Sequence, residues 1–179
     1  PKSDLSEAYL TVRSNLAMST RHGVPKSFMV TSSRPAEGKS TTSYALASVI
    51  ARTGKRVALV DADMRSPSIH TLFDAKNEDG FSNYLTGTDD LRSLIHETDI
   101  PNLWLMTAGR TPPSAAELLS TDRAAEMVAK LLEQFDHVVV DAPPLLGLAD
   151  APLISNAIEG VVYVIEARGV PIRGINLSL

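Results

Sequence analysis

The sequence predicts an α/β fold, a parallel β-sheet flanked by helices on both faces. Two observations carry that prediction and a third narrows it. Short apolar runs alternate along the chain with stretches of helical periodicity. The strand-like runs, Phe28-Met29-Val30, Val57-Ala58-Leu59-Val60 and Val138-Val139-Val140, are apolar at every position, as strands covered on both faces must be. The third observation is Ser33-Arg34-Pro35-Ala36-Glu37-Gly38-Lys39-Ser40-Thr41, a loop ending Gly-Lys-Ser between the first strand and a helix. Strand, loop and helix in that order form a phosphate-binding P-loop arrangement.

Each element follows from local pattern. Residues 4–22 read as an amphipathic helix with Leu5, Ala8, Tyr9, Val12 and Leu16 on one stripe. After the P-loop, Ala45, Leu46, Val49 and Ile50 recur at helical spacing until Gly54 stops the helix. Residues 56–60 form the second strand, running into Asp61-Ala62-Asp63-Met64-Arg65-Ser66-Pro67. Pro67 opens a short helix through Leu72 and Phe73. Further along, 81–85 is one helical turn, and Leu91, Leu94 and Ile95 mark a short amphipathic helix. Residues 103–106 are the third strand. Ser114 and Asp122 are candidate caps for two helices, the second with a stripe of Met127, Val128, Leu131 and Leu132. Residues 137–141 and 161–165 are the fourth and fifth strands, with a short helix starting at Asp150 between them, and 170–179 has the character of a helix start.

Composition bounds the chemistry. The 179 residues suit one domain, and 44% hydrophobic with 21% charged residues is ordinary for a globular protein. A formal net charge of −4 argues against a nucleic-acid-coating surface. The absence of cysteine excludes disulfides, thiolate metal sites and a cysteine nucleophile. His22, His70, His96 and His137 are scattered without ligand spacing. No apolar run approaches the roughly 20 residues that span a bilayer. The chain opens Pro1-Lys2-Ser3 without methionine, so residues 1–179 are expected to be a single-domain segment of a longer protein.

In the P-loop, Gly38 lets the backbone close on an anion, and the first helical amides point at it with the helix dipole behind them. Lys39 reaches the β- and γ-phosphates, and the Ser40 hydroxyl is placed to ligate Mg²⁺. Ser33 stands where the strict pattern has glycine. Asp61 and Asp63 end a strand, where open parallel sheets place their chemistry, and alternation sends both to one side. Asp141 ends the fourth strand in the manner of a Walker B aspartate. A phosphate cradle, a hydroxyl and carboxylates are the parts that Mg²⁺-dependent phosphoryl transfer needs. Arg65, directly after the acidic pair, is expected to serve phosphate or an interface. Trp104 is expected to pack, and Arg52, Lys55 and Arg56 to answer a helix dipole.

These segments resemble the bacterial tyrosine kinases. The 58–67 run, Ala-Leu-Val-Asp-Ala-Asp-Met-Arg-Ser-Pro, looks like their Walker A′ motif, 35–41 like their Walker A, and 138–144 like their Walker B. Segments 80–87 and 109–119 match more weakly, and Glu7-Ala8-Tyr9 with Arg13-Ser14-Asn15-Leu16 resembles the family's oligomerisation helix. The resemblance implies a P-loop NTPase of the MinD/ParA-like subclass. Its implied activity is ATP- and Mg²⁺-dependent protein-tyrosine phosphorylation, including autophosphorylation, that controls capsular or extracellular polysaccharide synthesis and export. It implies nucleotide contacts from Ala36, Glu37, Gly38, Lys39, Ser40 and Thr41, and metal binding by Ser40, Asp63 and Asp141. Lys39, Asp61 and Asp63 would be catalytic. Asp61 is the first candidate for the base, although either aspartate could serve. The implied partner is a transmembrane polysaccharide co-polymerase, fused or separate, holding the domain at the cytoplasmic face of the plasma membrane. Homo-oligomerisation through Glu7 and Arg13 is implied too, but Leu10 stands where that motif usually has a second arginine. Ala36 replaces a common glycine, a mild change, and Tyr9, Tyr44, Tyr84 and Tyr163 form no C-terminal cluster; with that family's last strand and helices missing too, residues 1–179 are expected to be a C-terminally incomplete P-loop domain. Two alternatives remain from sequence: a partitioning-type ATPase switch, whose signature lysine is here Arg34, and an ATP-binding scaffold without catalysis.

Overall fold

Six strands hydrogen-bond in the order β3-β4-β2-β5-β1-β6 in the computed structural model, which describes residues 4–167. The strands are β1 (Ser27–Ser32), β2 (Val57–Asp61), β3 (His96–Glu97), β4 (Leu103–Met106), β5 (His137–Asp141) and β6 (Gly160–Val164). All neighbours pair in parallel except β3, which runs antiparallel to β4. The expected doubly covered parallel sheet is therefore present. The helix anticipated for 170–179 lies outside the described residues.

Alternation along the strands builds two cores. Phe28 and Val30, Val57 and Leu59, Leu103 and Leu105, and Val139 point to one face. Met29, Ala58, Val60, Met106, Val138 and Val140 point to the other. Helix α2 (Lys39–Ala51) covers the first face with Leu46, Ala47, Ile50 and Ala51, and α1 (Asp4–Ser19) adds Tyr9, Val12 and Leu16. The second face is covered by α4 (Phe81–Leu85), α5 (Ala115–Leu119), α6 (Arg123–Leu132) and α7 (Asp150–Ser155). Each large apolar side chain buried this way contributes about 1.5–3 kcal/mol relative to exposure.

Several local expectations are corrected. The first turn of α1 does not reach the sheet, so Leu5 is 61% exposed and Ala8 is exposed with it. The segment around Leu91 folds as a 3-10 turn (Leu91–Ser93) rather than a helix, because β3 begins three residues later. Helix α3 spans only Ile69–Leu72. Ser114 and Asp122 precede α5 and α6, but neither side chain caps its helix. Arg56 lies past the helix end it was expected to answer, and its guanidinium sits 5.3 Å above the rings of both Trp104 and Phe135. Trp104 packs as expected, edge-on to Phe135 at 5.3 Å.

The weakly matching segments 80–87 and 109–119 meet in a glycine contact. A Cβ on Gly80 would lie 2.0 Å from the Thr107 carbonyl oxygen. Asn77 exchanges hydrogen bonds of 2.9 and 3.0 Å with the Gly109 backbone, fixing the chain as it leaves β4.

Candidate nucleotide site

Parallel strands β1, β2 and β5 end together, which places three loops side by side. Register pairs Asp61 with Asp141, and Val30 with Asp141, across the central strands. The loop after β5 is laced to β1: the Leu145 and Leu146 amides donate to the Ser32 and Ser33 carbonyls at 2.9 and 3.1 Å. The Thr31 hydroxyl donates to the Pro143 carbonyl at 2.7 Å. The P-loop thus starts from a backbone frame fixed on both sides.

Gly38 caps α2 in the left-handed region at φ 85°, where glycine carries no Cβ penalty. Ala36 also lies there, at φ 64°. The replacement anticipated as mild therefore carries local strain, about 1–2 kcal/mol for a residue with a Cβ. Glu37 closes the loop on itself, its carboxylate accepting from the Arg34 amide at 2.7 Å. Its side chain is buried and does not line the cleft. Ser33 keeps its side chain where the strict pattern has none, and its hydroxyl hydrogen-bonds the Tyr163 hydroxyl of β6.

Lys39 lies at the centre of the site. Its Nζ is 2.8 Å from Asp63 Oδ2 and 3.5 Å from Asp141 Oδ2, and all three side chains are at most 8% exposed. The Ser40 hydroxyl donates to Asp141 Oδ2 at 2.6 Å, and the Ser43 hydroxyl to Asp141 Oδ1 at 2.8 Å. Ala62 and Met64 belong to the opposite core, so Asp61 and Asp63 share the α2 side, as alternation predicts. Their surroundings differ, however. Asp63 lines the cleft. Asp61 is fully buried, and its oxygens accept from the amides of Asp63, Ser68 and Ile69 at 3.1, 3.1 and 3.0 Å. In this conformation the aspartate first expected to be the base holds a turn instead of facing the cleft.

Three carboxylates gather around one ammonium, an excess of negative charge in a buried cluster. Burial, and then the Asp141 charge, pushes the Asp61 carboxyl up to about 7. Burial likewise pushes Asp141 up, against the pull of Lys39. For Lys39, burial opposes the charge, but Asp141 and Asp63 outweigh it and move the ammonium above its ordinary value. A divalent cation bound nearby would relieve this imbalance. Among the described residues no group of three or more acidic or histidine side chains forms a ready metal cage.

The cleft above the cluster has a volume of about 540 Å³ and is lined by Ala36, Gly38, Ser40, Thr41, Asp63, Arg65 and Ser68, among others. Arg65 reaches this cleft but is held by Asp150 of α7, with two hydrogen bonds of 2.7 and 3.0 Å. Ser43, Ser68 and Asp150 were not anticipated. Ser43 follows Lys39 by one helical turn, the one signal that could have found it. A wider hollow of about 790 Å³ opens beside Tyr44, Phe73 and Ile100. It contains no phosphate-binding loop, so size alone does not select the site.

Fold and site together define a P-loop nucleotide-binding protein. A family model described as an AAA domain matches residues 28–177. The chain is 39% identical over 167 residues to the tyrosine-protein kinase YwqD of Bacillus subtilis, covering 93% of this chain and 70% of that protein. It is 36% identical to the putative tyrosine-protein kinase CapB of Staphylococcus aureus, over 94% of this chain and 74% of that one. The solved kinase domain of the Escherichia coli tyrosine kinase Etk superposes with a TM-score of 0.91 at 31% identity, covering 97% of this chain and 68% of that chain. The chain belongs to the bacterial tyrosine kinase family. Within full-length Etk, the matching 158 residues make up only 22% of the protein. The septum site-determining protein MinD of Pyrococcus horikoshii, solved with Mg-ADP, shares the fold at 19% identity and a TM-score of 0.66, covering 78% of this chain and 57% of that chain.

Proposed function

We propose that this chain is the catalytic domain of an ATP-dependent protein-tyrosine kinase acting in capsular or extracellular polysaccharide synthesis. One observation carries the catalytic reading: Lys39, Ser40, Asp63 and Asp141 converge within hydrogen-bonding reach beneath a cleft bordered by the P-loop. The polysaccharide role rests on the family resemblance.

Loop amides from 36–41 and the Lys39 ammonium hold the triphosphate, and Lys39 offsets charge that builds on it during transfer. Ser40 would supply the protein oxygen for Mg²⁺, with Asp141 holding that hydroxyl and the carboxylates of Asp63 and Asp141 adding negative charge nearby. Bound there, the cation neutralises phosphate charge. The acceptor tyrosine oxygen attacks the γ-phosphorus, the bond to the β,γ-bridging oxygen breaks, and ADP leaves. The phenolic proton passes to a carboxylate. Asp63 is the candidate for that role, which its position on the border of the cleft supports, whereas Asp61 shapes the turn that carries it. No helix of the described residues is long and apolar enough to cross a membrane. Placement at the inner face of the plasma membrane therefore requires a partner or a fused segment, for which a transmembrane polysaccharide co-polymerase is proposed. The relatives fit both arrangements, since the matched region is most of YwqD and a fifth of Etk. Self-association through Glu7 and Arg13 of α1 is part of the same proposal.

The test is incubation with radiolabelled ATP, Mg²⁺ and a tyrosine-rich polypeptide, followed by phosphoamino-acid analysis. Phosphotyrosine that disappears in Lys39→Met is the expected result. Release of free phosphate without protein labelling would make the chain an ATPase switch, and binding without turnover a scaffold.

A further inference from the structure

Ser68 lies outside the phosphate loop and both strand-end aspartates, yet its hydroxyl donates to Ser40 Oγ at 2.8 Å. We infer that Ser68 is a positioning residue: it orients the Ser40 hydroxyl toward Mg²⁺, and it is itself held by Asp61. The inference rests on the nucleotide-binding reading above and extends it to a residue that no motif supplies.

The argument counts donors and acceptors. A serine hydroxyl has one proton to give and two lone pairs to receive. Ser40 gives its proton to Asp141 Oδ2 at 2.6 Å and receives the Ser68 proton on one lone pair. Lys39 Nζ lies at a longer 3.4 Å. Those two strong contacts fix which staggered rotamer Ser40 adopts, and the second lone pair, which Lys39 Nζ holds only weakly, is the one a cation would take once the ammonium turns to phosphate. With the Ser68 hydroxyl removed, Ser40 keeps only Asp141 as an anchor among its short contacts. Its oxygen is then less well aimed when a cation arrives.

Ser68 is held in turn by a fully buried carboxylate. Asp61 Oδ2 accepts from the Ser68 and Ile69 amides at 3.1 and 3.0 Å, and Oδ1 accepts from Asp63 at 3.1 Å. Asp63 Oδ1 accepts from the Ser66 amide at 3.0 Å, bracing the turn between them. Asp61 is 0% exposed, so water does not compete for these amides. A residue on the strand end thus sets the position of a hydroxyl seven residues on, and that hydroxyl sets Ser40.

The test titrates a fluorescent ATP analogue against the chain over a series of Mg²⁺ concentrations, with a parallel titration in EDTA. Loss of a partner behind a metal ligand typically weakens metal affinity 10–100-fold. Ser68→Ala is expected to need about tenfold more Mg²⁺ for its half-maximal effect. Its affinity in EDTA should change far less, and its thermal midpoint should stay near wild type. Ser68→Thr, which keeps a hydroxyl, should restore the Mg²⁺ response. A Ser68→Ala response matching wild type would overturn the inference. So would an equal loss with and without Mg²⁺, which would make Ser68 a general support of the loop. A wild-type chain that binds no nucleotide at all would remove the functional reading itself, and this inference with it.

Discussion

Replacing Lys39 with methionine is expected to do more than silence the chain: it should make the fold more sensitive to pH than the unmodified chain is. The ammonium lies 2.8 Å from Asp63 and 3.5 Å from Asp141, all nearly inaccessible to water. At an effective dielectric of about 20, those two attractions come to about 6 and about 5 kcal/mol before solvation is counted. Dehydrating the charges offsets much of this, and breaking a buried pair by removing one partner costs about 3–5 kcal/mol. Methionine fills similar volume, so the loss is mostly electrostatic. Asp141 is already pushed up by burial, against the pull of Lys39, and removing that pull pushes it further. A carboxyl whose folded pKa lies above its unfolded value weakens the fold as pH rises through the interval between the two. Urea unfolding of Lys39→Met should therefore show the full 3–5 kcal/mol deficit at pH 8 and a clearly smaller one at pH 5. A deficit below about 1 kcal/mol, equal at both values, would be what an exposed pair gives. It would mean that Nζ is solvated and the cluster is not the buried unit described here.

Three further outcomes follow from the same geometry. With Asp61 at about 7 in the folded chain against an ordinary 3.8, its contribution is fully present below about pH 4 and fades as pH rises to about 7. Asp61→Asn should remove that component from urea unfolding at pH 5 and pH 8 in EDTA, and a variant with the wild-type pH slope would refute the assignment. Arg65→Ala leaves Asp150, which is 2% exposed, without its guanidinium. Because Arg65 is itself 44% exposed, the expected cost in chemical denaturation is about 2 kcal/mol, partly recovered by adding Asp150→Ala. Gly80→Ala drives a Cβ to 2.0 Å from a backbone carbonyl oxygen and should cost about 3 kcal/mol or abolish soluble expression, whereas a near-neutral effect would show that the turn shifts freely.

The central strands were legible because burial on both faces demands unbroken apolar runs, as in Val138-Val139-Val140. The P-loop was legible because few sequences put Gly-Lys-Ser between such a strand and a helix. By contrast, β3 is two exposed residues, His96 and Glu97, with no apolar signal to betray them. The inward turn of Asp61 was not legible either. It depends on amides seven and eight residues along, and nothing in a local pattern shows where a carboxylate finds donors. Leu5 satisfied the helical period yet stays exposed, because periodicity fixes a face of the helix but not how far the sheet extends beneath it. Ser33 departs from the P-loop pattern, and its hydroxyl partner, Tyr163, is 130 residues away.

The most direct measurement is a crystal structure of the chain with a non-hydrolysable ATP analogue and Mg²⁺. The account predicts the triphosphate against the amides of 36–41, Lys39 Nζ on its terminal phosphates, and the cation on Ser40 Oγ with Asp63 and Asp141 behind it. A nucleotide seated in the wider hollow beside Tyr44 and Phe73, with Lys39 still paired to Asp63, would contradict it.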